Sequence, residues 1–418
     1  MSEITWEITS LSELGTFSRG KSKHRPRNDV KLFEGGKYPL VQTGDVKAAN
    51  LYITKNDSYY NDFGLKQSKL WPAGTLCITI AANIAETAIL SYPMCFPDSI
   101  VGFNANPEKS SELFVYYFFE YIKKEIQKSA SGSIQDNINI DYLSKMRIKV
   151  PEKKYQVKIV ELLSSIDKKI LLNNQINQEL EAMAKTLYDY WFVQFDFSDQ
   201  NGKPYKSSGG KMVYHPELKR EIPEGWGVEK LGELAQFKNG INYEKTSSGS
   251  EKVKIINVRN ISSSTIFINQ TDLDEIFLEN DKSTNFIVNE GMILITRSGI
   301  PGATRLVSEL EAKTVYSGFI IASEVNDLIY KNLIFYYLKN VEEVLKNQSA
   351  GTIMKNISQS VLTDMVVSLP PQDVLLKFNS IIDNLLEQMK NVQRQNQELT
   401  QLRDWLLPML MNGQVKVV

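Results

Sequence analysis

Residues 6–20 read WEITSLSELGTFSRG, and residues 226–240 read WGVEKLGELAQFKNG. Trp6, Leu11, Glu13, Leu14, Phe17 and Gly20 meet Trp226, Leu231, Glu233, Leu234, Phe237 and Gly240 in one register. The match continues far beyond this stretch. GTLCIT at 74–79 answers GMILIT at 291–296, and VGFNA at 101–105 answers SGFIIA at 317–322. SGSIQDNINIDYLSKMRIKVP at 131–151 answers AGTIMKNISQSVLTDMVVSLP at 350–370, and NQEL occurs at both 177–180 and 396–399. Order and spacing hold at about 219 positions with only a few residues of drift. Chance does not do this across half a chain, so the sequence is a tandem duplication.

Each copy reads in two parts. The first, 1–151 and 226–370, mixes short β-rich runs with Gly, Asn and Ser turns, followed by a helix from about Glu112 and from about Leu328. The second part is helical, over about 152–190 and 372–410. These helices carry a heptad. Phe378, Leu385, Val392, Leu399 and Leu406 fall seven apart, and Ile159, Ile166, Asn173, Leu180 and Leu187 occupy the same rungs of the first copy. Leu163 and Ile170, then Ile382 and Met389, make a second apolar seam position.

Such a seam needs a partner helix, either the other copy within the chain or a second chain. A polar rung such as Asn173 commonly fixes register. Residues 194–225, rich in Gly, Ser, Pro and Lys, read as a linker or arm long enough to reverse direction. The expected fold is α+β: two similar globular domains, 1–151 and 226–370, joined by helices 152–193 and 371–410 in an antiparallel intramolecular coiled coil. The arm 194–225 and a tail 411–418 complete it.

A chain of 418 residues has room for about two to three domains. No apolar run reaches the roughly 18 residues of a membrane span, and MSEITWEITS lacks the features of a signal segment. Two cysteines without a CxxC pair argue against disulfides and structural zinc, so a reducing cytoplasm is expected. Net charge is −1, but it is segregated: RGKSKHRPRN at 19–28 has no acid, while TDLDEIFLEND at 271–281 is acidic.

Recognisable active-site chemistry is missing. Two histidines are too few for most His-based metal sites or triads. Neither a GxxxxGK[ST] loop nor a GxSxG elbow occurs, and no cofactor is expected. What remains is a binding scaffold with two similar heads. DNA suits it, because half-sites on one face recur at about 34 Å, and a helix of about 39 residues spans roughly 58 Å. Candidate contacts in the first head are Arg19, Lys21, Lys23, His24, Arg25, Arg27, Gln42, Thr43, Asp45, Lys47 and Asn83. In the second they are Lys238, Asn239, Arg259, Asn260, Arg297 and Ser298. Cations near turns attract phosphates, and Gln, Asn, Thr and Arg address base edges. The competing readings are a two-headed adaptor for proteins and an enzyme with an unrecognised site.

The stretch AKTLYDYWFVQFDFSDQNGKPYKSSGGKMVYHPELKREIPEGW, 184–226, resembles the central region of the specificity subunits of type I restriction–modification systems. LSSIDKKILLNNQI at 163–176, SGSIQDNI, LPPQ and the terminal LLPMLMNGQV add to the resemblance, which spans the whole chain. It implies two target-recognition domains, each reading one half of an asymmetric, interrupted site in double-stranded DNA. It also implies an antiparallel coiled coil that sets the spacing and docks two methyltransferase subunits, with motor-nuclease subunits joining the full complex. The chain itself would catalyse nothing. Aligning the helices on Asp167 and Asp383 gives a shift three residues shorter than aligning on NQEL, so about one helical turn differs between the copies.

Overall fold

The computed structural model describes residues 4–131, 138–243, 249–348 and 357–417. Two stretches aligned above, 132–137 and 350–356, lie outside the described residues. The chain divides into two units, one of residues 1–172 with 395–418 and the other of residues 173–394. Both long helices therefore contribute one part to each unit.

In unit 1, β1 (Trp6–Ser10) pairs antiparallel with β6 (Arg147–Pro151), closing the head at its base. Between them β2 (Gly15–Arg19), β5 (Ile100–Ala105), β3 (Leu76–Thr79) and β4 (Thr87–Leu90) lie side by side in that order, and strand Tyr52–Ile53 completes the sheet. Strand β3 is buried on both faces and apolar up to Thr79, which is why it reads as a continuous run rather than an alternation. Helix α1 (Thr43–Ala48) packs against β3 and β4 on one side, while α2 (Glu112–Ser131) covers the sheet with Phe114, Val115, Phe118 and Phe119. Helix α3 (Lys153–Tyr188) follows β6 directly.

Unit 2 repeats the plan. Strand β7 (Gly227–Lys230) pairs with β12 (Val366–Leu369), and β8 (Ala235–Asn239), β11 (Ile320–Val325), β9 (Ile293–Thr296) and β10 (Thr304–Leu306) form the sheet in the same order as in unit 1. Helices α4 (Val258–Ser263) and α5 (Lys331–Gln348) take the places of α1 and α2, and α6 (Gln372–Met411) follows β12. Strand pairing corrects one detail of the alignment. Arg19 faces Val101 as Asn239 faces Ile321, so Gly102 corresponds to Ala322, and Gly318 takes the place of Asp98. Matching the GF dipeptides slips the strand by four residues, so the shared letters occupy different places in the two sheets.

The two helices run antiparallel within each unit. In unit 2 Phe378, near the start of α6, meets Phe192, just past the end of α3, with ring centroids 4.7 Å apart. In unit 1 the last turns of α6 share a core with the first turns of α3: Leu407 and Leu410 pack with Ile159 and Leu163. Most heptad residues are buried, including Ile166, Leu180, Ile382, Leu385 and Met389, and Asn173 is buried among them. Ile170, Val392 and Leu399 are half-buried. Late in each helix the register moves by one residue. Tyr188 and Leu407 are buried where Leu187 and Leu406 are only half-buried. A straight α-helix drifts about 20° per heptad from a strict seven-residue repeat, which accounts for the slip at the same place in both copies.

The segment 194–225, the arm of the sequence, is anchored in unit 2. Phe195, Phe197, Ile222 and Trp226 are buried in the core of unit 2, and strands Met212–His215 and Arg220–Pro223 form a hairpin. His215 closes the first of these strands. Asp196 accepts hydrogen bonds from the Ser207 hydroxyl at 2.6 Å and its backbone N–H at 2.7 Å, which hold the carboxyl below the usual range. Gly, Ser and Lys dominate the composition, but alternate aromatics anchor the segment.

The turns after β3 and β9 are built alike. The Thr79 hydroxyl donates to the Asn83 carbonyl and the Thr296 hydroxyl to the Ile300 carbonyl. Unit 2 places Gly299 (φ 81°) and Gly302 (φ 85°) where the backbone turns left-handed, whereas unit 1 uses Ala82 (φ 49°) and Ala85 (φ 61°). A left-handed non-glycine residue costs about 1–2 kcal/mol, partly offset by the extra freedom a glycine has when unfolded. Ala82→Gly is therefore expected to stabilise unit 1 by about 0.5–1 kcal/mol, read as a higher denaturant midpoint. A lower midpoint would show that the methyl group makes a contact worth more than the strain.

Candidate nucleic-acid interface

In unit 1 the basic segment following β2 is drawn around one acid, Asp98, in the turn before β5. Arg19 Nε donates to the Asp98 carbonyl at 2.5 Å, Arg27 Nη2 lies 2.6 Å from the carboxylate, and Arg25 Nη2 lies 3.7 Å from it. Gly20 allows this approach, since a Cβ there would lie 2.2 Å from the Pro97 carbonyl oxygen. Gly240 does the same in unit 2, 2.3 Å from the Ser317 carbonyl oxygen, which is why both copies keep glycine. The backbone N–H groups of Lys23 and His24 donate to Gln67 Oε1 at 2.7 and 3.1 Å. His24 Nε2 lies 2.8 Å from Asp29, whose carboxyl this hydrogen bond and the Lys31 N–H hold below its ordinary value.

Five cations thus stand against two carboxylates in this segment, and the surplus faces solvent. Lys21 and Lys23 are exposed, and among the described residues neither pairs with an acid. The turn after β3 adjoins this cluster, because Ile80 N–H donates to the Ser99 carbonyl at 3.0 Å. Lys47 reaches Asn83 Oδ1 at 3.4 Å across the same edge. Asp45 serves the helix instead. Its carboxylate accepts from the Gln42 N–H at 2.7 Å, while the Gln42 side chain caps the helix in return. Gln42 and Asp45 start α1, and Thr43 is its first residue.

Unit 2 presents the same segments with different chemistry. Asn257 and Asn260 repeat the capping box at the start of α4. Asn260 is 1% exposed, accepts from the Asn257 N–H at 2.8 Å and donates to the Asp272 carbonyl at 2.7 Å. At that burial Asn260 serves the fold, whereas Asp45 is half-buried and combines its capping role with a place at the edge of the cluster. Lys238 pairs with Glu324 at 2.9 Å, and Arg259 lies 2.7 Å from Asp274 and 3.2 Å from Asp272. Arg297 donates from Nη1 to the Gly318 carbonyl at 3.1 Å, Ser298 is half-buried, and Asn239 is exposed. Among the described residues, the cationic surplus of unit 1 has no counterpart here.

Sequence reasoning found the basic segment but missed Asp98 and Gln67, which shape it, and the exposed Phe319. Nothing in PDSIVGF marks Asp98 as an anchor; only strand pairing brings it to the arginines. Among the described residues no group of three or more His, Cys, Asp or Glu is placed to hold a metal ion, and no helix is long and apolar enough to cross a membrane. Burial pushes the Cys77 thiol well above its usual range and that of Cys95 up to about 11.

Two copies of one α+β head, each with matched loops at the same sheet edge and each fastened to one end of both long helices, define a two-headed recognition protein. The sequence pattern of the type I restriction modification DNA specificity domain matches residues 3–182 and again 223–401, and the chain belongs to this family. It is 26% identical to the type I restriction enzyme MjaIX specificity subunit of Methanocaldococcus jannaschii, over 99% of this chain and 94% of that protein. It is 24% identical to the HindI specificity subunit of Haemophilus influenzae, over 93% and 97% of the two chains. The fold is similar to that of the type I restriction–modification S subunit from M. genitalium, with TM-score 0.55 and 17% identity, covering 98% of this chain and 97% of that one.

Proposed function

We propose that this chain is the sequence-specificity subunit of a type I restriction–modification complex and acts on double-stranded DNA in the cytoplasm. Each head, 1–151 and 226–370, reads one half of an asymmetric, interrupted site. The helices within 152–193 and 371–410 set the spacer and dock two methyltransferase subunits, and restriction subunits join the full complex. The chain contributes recognition and no catalysis. One observation carries this reading. The same loops recur at the same sheet edge of both heads, yet their side chains differ, as two readers of unlike half-sites require.

The DNA-facing set is Arg19, Lys21, Lys23, His24, Arg25, Arg27, Lys47 and Asn83 in unit 1, with Gln42, Thr43 and Asp45 beside them. In unit 2 it is Lys238, Asn239, Arg259, Arg297 and Ser298. Phosphate contacts from the cations position the duplex, and the polar groups at the turns address bases. Exposed apolar residues on the helices suit partner docking. Met183 in unit 2 and its equivalent Leu402 in unit 1 both face solvent, as does Trp405.

A base-resolution methylome of the source cell with and without the gene tests the proposal. Loss of one gapped motif, two short half-sites around an unspecified spacer, is expected. If the chain co-purifies with an active methyltransferase and every methylated motif nonetheless persists without it, the reading fails.

A further inference from the structure

We propose that Phe319, together with Ile300, is an apolar base reader in unit 2 that meets the C5-methyl group of a thymine. This rests on the reading of the chain as a DNA-specificity subunit and adds a residue and a base to it. Phe319 is 63% exposed and Ile300 is 42% exposed. Both lie on loops that Arg297 ties together: its N–H donates to the Phe319 carbonyl at 2.8 Å and its Nη1 to the Gly318 carbonyl at 3.1 Å. The backbone of the Ile300 turn is fixed independently by the Thr296 hydroxyl. Two apolar side chains are therefore held out from rigid backbone, on the edge that also carries Asn239 and Arg297.

The comparison between units gives these positions their meaning. In unit 1 Ile80 N–H makes the corresponding bond to the Ser99 carbonyl at 3.0 Å, so Ser99 corresponds to Phe319, and Asn83 to Ile300. There the neighbouring Asp98 gathers arginines around it. Unit 2 has Gly318 there instead, with Asn242 Oδ1 lying 2.1 Å from where a Cβ would stand, so an acid at this position would first have to displace the Asn242 side chain. At the place where one head concentrates charge and hydrogen-bonding groups, the other presents a phenyl ring and a branched aliphatic chain. In the major groove thymine alone offers an apolar group to such a pair.

The test uses the chain in its methyltransferase complex, on duplexes carrying its gapped site. Each thymine of both half-sites is replaced singly by deoxyuridine, which removes only the methyl group. Binding is expected to weaken about three- to fivefold at one position of one half-site, as for the loss of a buried methyl. In Phe319→Ala that sensitivity should vanish, whereas Phe319→Leu should keep part of it. Salt-dependent binding to unrelated DNA should stay unchanged. The inference is overturned if no thymine is sensitive, or if sensitivity survives in Phe319→Ala. A further overturning result is Phe319→Ala weakening binding equally with thymine and with uracil, as a wedge between bases would. A complex that shows no preference for any gapped site would sink the underlying reading instead.

Discussion

Replacing Glu342 by alanine is expected to destabilise unit 2 by about 3–5 kcal/mol, the range for breaking a buried ion pair by removing one partner. The Glu342 side chain is 2% exposed and that of Arg305 6%, and Glu342 Oε2 lies 3.0 Å from Arg305 Nη1. The same oxygen accepts from the Thr304 N–H at 3.1 Å and lies 3.6 Å from Lys339 Nζ. Alanine would leave a desolvated guanidinium without its counter-charge and a buried N–H without an acceptor, each unfavourable on its own. Arg305 cannot swing out to water easily, because its Nε donates to the Ser264 carbonyl at 2.6 Å and Nη1 to the Thr304 carbonyl at 2.6 Å.

Removing both charges together should be far milder. Unit 1 carries Ala88 and Ile122 at the corresponding sequence positions, and its ion pair at this contact, Lys123 with Glu86 at 2.6 Å, lies beside them and is less buried. Arg305→Met with Glu342→Leu should therefore recover most of the loss. Urea unfolding of the three proteins would decide the matter. If the single variant unfolds at the same midpoint as the parent, water reaches the pair and the burial argument is wrong.

Lys21→Gln with Lys23→Gln should weaken DNA binding by the methyltransferase complex on the order of tenfold or more at physiological salt. It should also flatten the plot of log affinity against log salt by about 0.9 for each phosphate that is no longer neutralised. The structure singles out these two lysines. Arg25 and Arg27 already face the Asp98 carboxylate, whereas Lys21 and Lys23 are exposed and form no ion pair among the described residues. Specific and unrelated sequences should lose affinity alike, because phosphate contacts carry no sequence information. An unchanged salt slope would mean that this segment faces something other than a phosphate backbone, as in a protein adaptor.

Much of this molecule was legible in its letters. The duplication, the α+β character of each half, the two long helices and the position of the basic segment follow from repeats and periodicity, because these patterns are local and occur twice. The heptads located the helix seam, and the structure shifted them by one residue at Leu187 and Leu406. The arm after Phe192 could be placed by composition but not packed: glycine and serine mark a connection, and only the fold buries Phe195, Phe197 and Trp226 together in a core.

The candidate site divides in the same way. Sequence alone determined that two related heads exist, that their helices are amphipathic, and that positive charge gathers at 19–27. It could not separate a contact residue from a cap. Asn260 sits in a turn-like polar stretch, as a base reader would, yet it is buried and holds the first turn of a helix. Nor could it join Asp98 to Arg27, Glu342 to Arg305, or Arg297 to Phe319, pairs far apart in the chain. Such pairs arise only when strands take their register and helices pack. Repeats and amphipathic periods are properties of neighbouring residues, whereas the charge balance and exposure of a surface depend on which distant residues the folded chain brings within a few ångströms.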